Sequence, residues 1–131
     1  MKDMMMIVYD ALKANSLIAE KVTAKGIKFN EVPETFDTTK PFIILDTGLG
    51  PQTTAYFAGD KVMSKQFKYQ INVESTNRML TKEIAKAVEE TMRDIGFGQL
   101  DGGLDTYFPE TKRYVDARRY RKNTQIYDTD Y

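Results

Sequence analysis

The 131-residue sequence contains no histidine and no cysteine. Without histidine it lacks the commonest general base, the usual partner that activates a nucleophile, and the commonest metal ligand. Without cysteine it has no disulfide and no thiolate metal site. Catalysis by carboxylates alone passes this test, and little else does. The chain also lacks an excess of either charge, since 19 basic residues balance 19 acidic ones. Bulk charge therefore gives no evidence for nucleic-acid or membrane binding, and neutrality removes a self-repulsion that would oppose association with copies or partners. Long hydrophobic runs are missing too. Met4-Met5-Met6-Ile7-Val8 is apolar, but Asp10 and Lys13 interrupt it far short of a membrane span. No secretion signal appears, and a soluble intracellular protein is the expectation.

What remains is an ordinary globular composition, 41% hydrophobic and 29% charged. The length suits one domain over residues 1–131 with a modest core. The clearest pattern runs from Phe67 to Tyr120, where the hydrophobic period changes twice. Phe67 to Glu74 alternates apolar and polar residues, as a half-buried strand does. After Ser75-Thr76-Asn77 the period becomes helical, with Leu80, Ile84, Val88, Met92 and Ile95 on one stripe. Gly96 suits the left-handed position after the helix, with Phe97 making the apolar contact beyond it.

Upstream, residues 2–15 read as an amphipathic helix with Met4, Val8, Ala11 and Leu12 on one side. Ser16 is the expected cap of a short second helix over 17–22. Residues 27–32 alternate like a strand, which Pro33 confines to a short or edge position. Residues 34–40 read as a polar loop, and Pro41 to Leu45 as a strand buried on both faces. Gln52 to Met63 reads as a hairpin arm or long loop. Downstream of the main helix, residues 98–105 read as a flexible loop and Tyr107-Phe108-Pro109 as a short strand ending. Lys112 to Lys122 reads as the final strand, closing the sheet, and 128–131 as a frayed tail. The expected fold is α+β: a single mostly antiparallel sheet packed against two helices in the order α-β-β-β-α-β, with room for an extra hairpin.

Candidate sites are few. Residues 112–122 hold six cations and one anion. They read as an interface strand rich in Arg and Tyr, as a solvated strand, or, last, as a phosphate-contacting surface with Tyr114 and Tyr120 available for stacking. Tyr56-Phe57 is either an exposed aromatic pair that a partner covers or part of a buried strand. The interface candidates are therefore Tyr56, Phe57, Arg113, Tyr114, Arg118, Arg119, Tyr120 and Arg121. Gly48-Leu49-Gly50-Pro51 lacks the spacing of a phosphate loop and reads as a turn. Asp101, Asp105, Asp128 and Asp130 lack calcium-loop spacing and read as solvated carboxylates. Glu89-Glu90 on a helix do not face one another and form no acid/base pair. No catalytic, cofactor-binding or metal-binding residue is assigned, although a carboxylate-dependent, metal-assisted hydrolase stands as the third alternative.

The ordered elements, together with Ser16 to Val22, Gly26-Ile27-Lys28-Phe29, Pro33, Lys40 to Leu45, Phe67 to Glu74, Ile95-Gly96-Phe97 and Arg113 to Tyr120, resemble tail-terminator (tail-completion) proteins of long-tailed bacteriophages. The resemblance is closer still to a siphovirus family of similar length encoded among tail genes. It spans nearly the whole chain as a pattern of elements rather than as one diagnostic motif. It implies a non-enzymatic virion protein that needs no cofactor and forms a homohexameric ring. That ring caps the tail tube and offers a surface to the head connector. The partners implied are copies of itself, the major tail-tube protein and a neck protein, with weak, sequence-independent DNA contact in the lumen and no membrane. Localisation would be the virion tail or neck, and the host cytoplasm during assembly. The alternative is a small nucleic-acid-binding module using residues 112–122.

Overall fold

The computed structural model describes residues 1–33, 36–37 and 39–131. Among the described residues, three α-helices lie against one face of a six-stranded sheet. The first is α1 (Met4–Ala14), whose Met4, Val8 and Leu12 recur every four residues and are all buried. Asp3 starts it by accepting hydrogen bonds from the Met5 and Met6 amides. The short α2 (Ser16–Lys21) follows at once. Its cap is Asn15, not Ser16, because the Asn15 side chain accepts from the Leu17 and Ile18 amides. Asn15 also donates to Thr91 Oγ1 at 3.0 Å, tying the junction to the main helix.

The sheet is built from β1 (Ile27–Phe29), β2 (Phe42–Asp46), β3 (Thr53–Ala58), β4 (Lys61–Ser75), β5 (Gly98–Phe108) and β6 (Arg113–Asn123), with α3 (Arg78–Asp94) between β4 and β5. Its order is β1-β2-β4-β6-β5, and β3 pairs with the first half of β4. β1 and β2 run parallel, and the other pairs among the described residues are antiparallel. The α+β expectation holds, with one more helix and two more strands than its shortest form. The polar loop expected at 34–40 falls partly on residues 34, 35 and 38, which lie outside the described residues.

Alternation in β4 does what its period requires. Phe67, Ile71 and Val73 point into the core with Ile43 and Leu45 of β2, against Ile84, Val88 and Met92 of α3. Gln66, Lys68, Gln70, Asn72 and Glu74 lie on the opposite face, which carries no helix. The main helix ends in a complete Schellman arrangement: Phe97 N–H donates to Met92 O at 2.8 Å and Gly96 N–H to Arg93 O at 3.0 Å. Gly96 sits at φ +94°, and Phe97 is buried.

Three expectations are overturned. The segment 98–105 is no loop, since β5 begins at Gly98 and pairs with β6 along its length, interrupted by a shift between Leu100 and Gly103. The Gly102-Gly103 pair that suggests flexibility forms this bulge, with both residues at positive φ. Consequently β6 does not close the sheet. It is an interior strand, bonded to β4 on one side and β5 on the other. The C-terminal tail is not frayed either. Thr124 is buried, Tyr127 N–H donates to Met63 O at 2.7 Å, and the Tyr131 ring packs edge-on against Phe67 at 5.0 Å.

Candidate interaction surface

The first half of β4 outruns the sheet. Register with β6 ends at Gln66↔Asn123, beyond which β4 is held by β3 on one side and the C-terminal tail on the other. Residues 53–66 therefore form a two-stranded arm. Tyr56 is 56% exposed and Phe57 70% exposed on a strand, so both are solvent-facing on a regular element rather than on a loop. Phe57 lies directly across from Val62, which is also exposed, making a bare apolar cross-strand pair.

The basic strand is organised differently from its composition. Arg113 pairs with Glu74 at 3.4 Å, and its guanidinium sits 5.4 Å from the centre of the Phe42 ring. Glu74 shows the cost of this half-buried position, since burial pushes its carboxyl up against the opposing influence of Arg113. Tyr114 is half-buried and packs on Tyr107 of β5 with ring centres 4.7 Å apart. Arg118 makes two hydrogen bonds to Asp116, at 2.8 and 3.1 Å. Arg119 is exposed and donates to Gln70 Oε1 at 3.0 Å across the β4–β6 pair. Lys122 donates to Ile95 O at 2.7 Å, satisfying a carbonyl at the end of α3. Arg121 is exposed and has no ion-pair partner among the described residues.

Tyr120 overturns its own expectation. It is 1% exposed in the core beneath α3, so it cannot stack a base or meet a partner. Four of the six cations are thus held by neighbours, three within the sheet and Lys122 at the end of α3. The eight candidates divide accordingly: Tyr56 and Phe57 share the arm, Arg113, Arg119 and Arg121 share the helix-free face, and Arg118, Tyr114 and Tyr120 face the helices.

Two features escape the sequence reading. One is a charge cluster at the β5–β6 pair, where Asp105 and Asp116 lie directly opposite. Like charges in that position repel, and Lys82 from α3 bridges them at 2.6 and 2.9 Å. Nothing in the spacing of Lys82, Asp105 and Asp116 announces this. The other is β5 itself, an eleven-residue strand with a free outer edge that exposes Leu104, Tyr107 and Phe108. The alternation of Leu104, Thr106 and Phe108 on one face was the available signal, masked by the glycines before it. Among the described residues no group of three acidic side chains is placed to hold a metal ion. No helix among them is long and apolar enough to cross a membrane.

No protein-family model matches the chain, and no curated protein matches it in sequence. A solved structure does match: a chain of the virion of native gene transfer agent (GTA) particle, with a TM-score of 0.63 and 19% identity. The match covers 91% of this chain and 90% of that one. The likeness is one of fold. It extends over most of both chains rather than over a shared fragment.

Proposed function

We propose that this protein is a structural component of a phage-like virion, acting without catalysis as a homo-oligomeric ring at the head-proximal end of a tail. The observation that carries the reading is the end-to-end fold likeness to a virion chain of a gene transfer agent particle. The surface supports it in kind. Apolar side chains are exposed on a projecting arm and along a sheet edge, where contacts with copies or neighbours would cover them. A head-to-tail contact closes into a ring when its rotation returns to the start, and six copies is the number the tail-terminator resemblance implies.

In this role the ring stops addition of tail-tube protein and presents a docking surface to the head connector. The test is addition of the purified protein to polymerising tail-tube protein, with tube lengths and tube ends followed by negative-stain microscopy. Shortened tubes carrying a ring at one end are the expected result. Tubes that grow to the same length with bare ends would remove the reading. An oligonucleotide titration across a salt series accompanies it: the internal pairing of Arg113, Arg118, Arg119 and Lys122 leads to weak binding, with a shallow dependence on salt. Tight binding with a steep negative slope would favour a nucleic-acid module instead.

A further inference from the structure

Among the described residues, two strand edges besides the short β1 are unpaired, and they lie on opposite flanks. At Gln66 of β4, Thr53 of β3 sits on one side and Asn123 of β6 on the other. Beyond β6 lies β5, bonded on one side only. The third edge, β1, is three residues long and Pro33 follows it closely, the usual blunting of an edge. The other two are longer and have no proline, although a bulge interrupts the inner pairing of each. β5 contains no proline and no lysine or arginine from Gly98 to Phe108, and β3 is Thr-Thr-Ala-Tyr-Phe-Ala, without charge or proline and rich in strand-favouring side chains.

The two flanks are also complementary. Residues 98–111 carry Asp101 and Glu110, besides Asp105 that Lys82 already bridges, and no cation. Residues 53–68 carry Lys61, Lys65 and Lys68 against the single anion Asp60. Asp101 and Lys61 are exposed, and neither has an ion-pair partner among the described residues. Each flank bears exposed apolar side chains as well, Phe57 with Val62 on one and Leu104 with Phe108 on the other. Open edges, opposite charge and matching apolar exposure on opposite flanks describe a heterologous contact, in which one patch meets a different patch on an identical neighbour.

We infer that the outer edge of β3 in one copy adds to the outer edge of β5 in the next, continuing the sheet from copy to copy. The occupant of each edge is a second copy of this chain. Backbone N–H and C=O groups left open on both strands are satisfied by the pairing, while the apolar side chains cover one another and the lysine-rich arm lies along the acidic strand. The inference rests on the self-assembly in the proposed function and specifies where that assembly is made.

A chain without cysteine gives a clean background for the test. Phe57→Cys and Leu104→Cys variants, alone, mixed and combined, are treated with a short bis-maleimide under conditions where particles of the full chain form. The double variant is expected to give a ladder of covalent multimers ending at the ring number. The mixed single variants should give dimers only, and each single variant alone should give none. Assembled particles without 57–104 cross-links overturn the inference while leaving the ring reading intact, and so do cross-linked dimers of Phe57→Cys alone, which would mean a symmetric contact. No assembly, with or without tail-tube protein, overturns both. A charge exchange checks the same edge by another route. Lys61→Asp or Asp101→Lys alone is expected to weaken assembly by roughly tenfold at low salt, and the two together to restore it. Failure of the double exchange to restore assembly counts against the pairing.

Discussion

At the scale of single residues, Asp116 shows how a charge is kept inside a small neutral protein. Its side chain is 3% exposed, and Arg118 and Lys82 both reach it. Burial is the largest single influence on it and disfavours its charge, yet the hydrogen bonds from Arg118 and Lys82 together outweigh burial and hold the carboxyl below its ordinary value. A carboxyl with a depressed folded-state pKa contributes stability that is fully present above the unfolded value and lost as pH falls through the folded one. Asp116→Asn is therefore expected to cost about 2 kcal/mol near neutrality. In urea unfolding across pH, the gap between variant and wild type should hold down to about pH 4 and narrow below it. A gap that instead narrows on raising the pH from 4 to 7 would contradict this account. Tyr120 poses the opposite case. Its hydroxyl is buried and finds no partner among the described residues, and burial pushes its ionisation up. Tyr120→Phe removes that unpaired group with little change of shape, so stability should be unchanged or up to about 1 kcal/mol higher. A clear loss would mean that the hydroxyl is hydrogen-bonded after all.

At the scale of elements, glycine positions separate conformational need from empty space. Gly96 ends α3 at φ +94°, where a side chain is strained, and an added Cβ would approach the flexible Lys122 side chain at 3.2 Å. Gly96→Ala is expected to cost about 1–2 kcal/mol by backbone strain. Gly98, at the start of β5, has nothing within 4 Å of such a Cβ and no left-handed φ, and Gly98→Ala should change stability by no more than about 0.5 kcal/mol. Gly103 is the severe case. Its Cβ would fall 2.1 Å from the Ala117 carbonyl oxygen of the paired strand. Gly103→Ala should thus loosen β5 from β6, seen as faster amide exchange along Leu104–Phe108 with α3 still protected. Unchanged protection in β5 would show that the bulge can shift to make room.

The same elements explain what was legible in the chain. The stripe Ile84-Val88-Met92, the alternation Phe67 to Val73 and the Gly96-Phe97 stop are local signals, each confined to one element, and each reads directly as structure. The β5 strand was obscured because a glycine pair breaks alternation in the same way whether it makes a loop or a bulge. The residue paired with Gly103 is Arg118, fifteen positions away, and that pairing decides which. Asn15 in place of Ser16 as a cap is the smallest version of this ambiguity, since both side chains can accept a backbone hydrogen bond and the turn geometry chooses between them.

At the scale of the whole molecule, the arm and the β5 edge leave apolar side chains exposed in the isolated chain. Phe57→Ser and Tyr56→Ser remove apolar surface already in solvent, so thermal or urea stability of the isolated chain should stay within about 0.5 kcal/mol of wild type. Assembly measured by native mass spectrometry should fall in both, more in the pair than in either alone. Equal assembly with full-length rings would remove the arm from the interface. The site was only partly readable in advance for the same reason: Tyr56 and Phe57 stand out as aromatics in a polar context, whereas Arg113, Arg118 and Arg119 look available until the strands beside them are known.

By itself the sequence determined the α+β class, the helix stripes, the central β4 strand and the absence of histidine and cysteine chemistry, because composition and short-range periodicity survive in one dimension. Tertiary structure alone decided that β6 is interior, that β5 is the edge, that four of the basic strand's cations are already paired and that Tyr120 belongs to the core. Which side of a strand is covered, and by what, depends on partners distant along the chain, and strand pairing is the contact that no local period encodes.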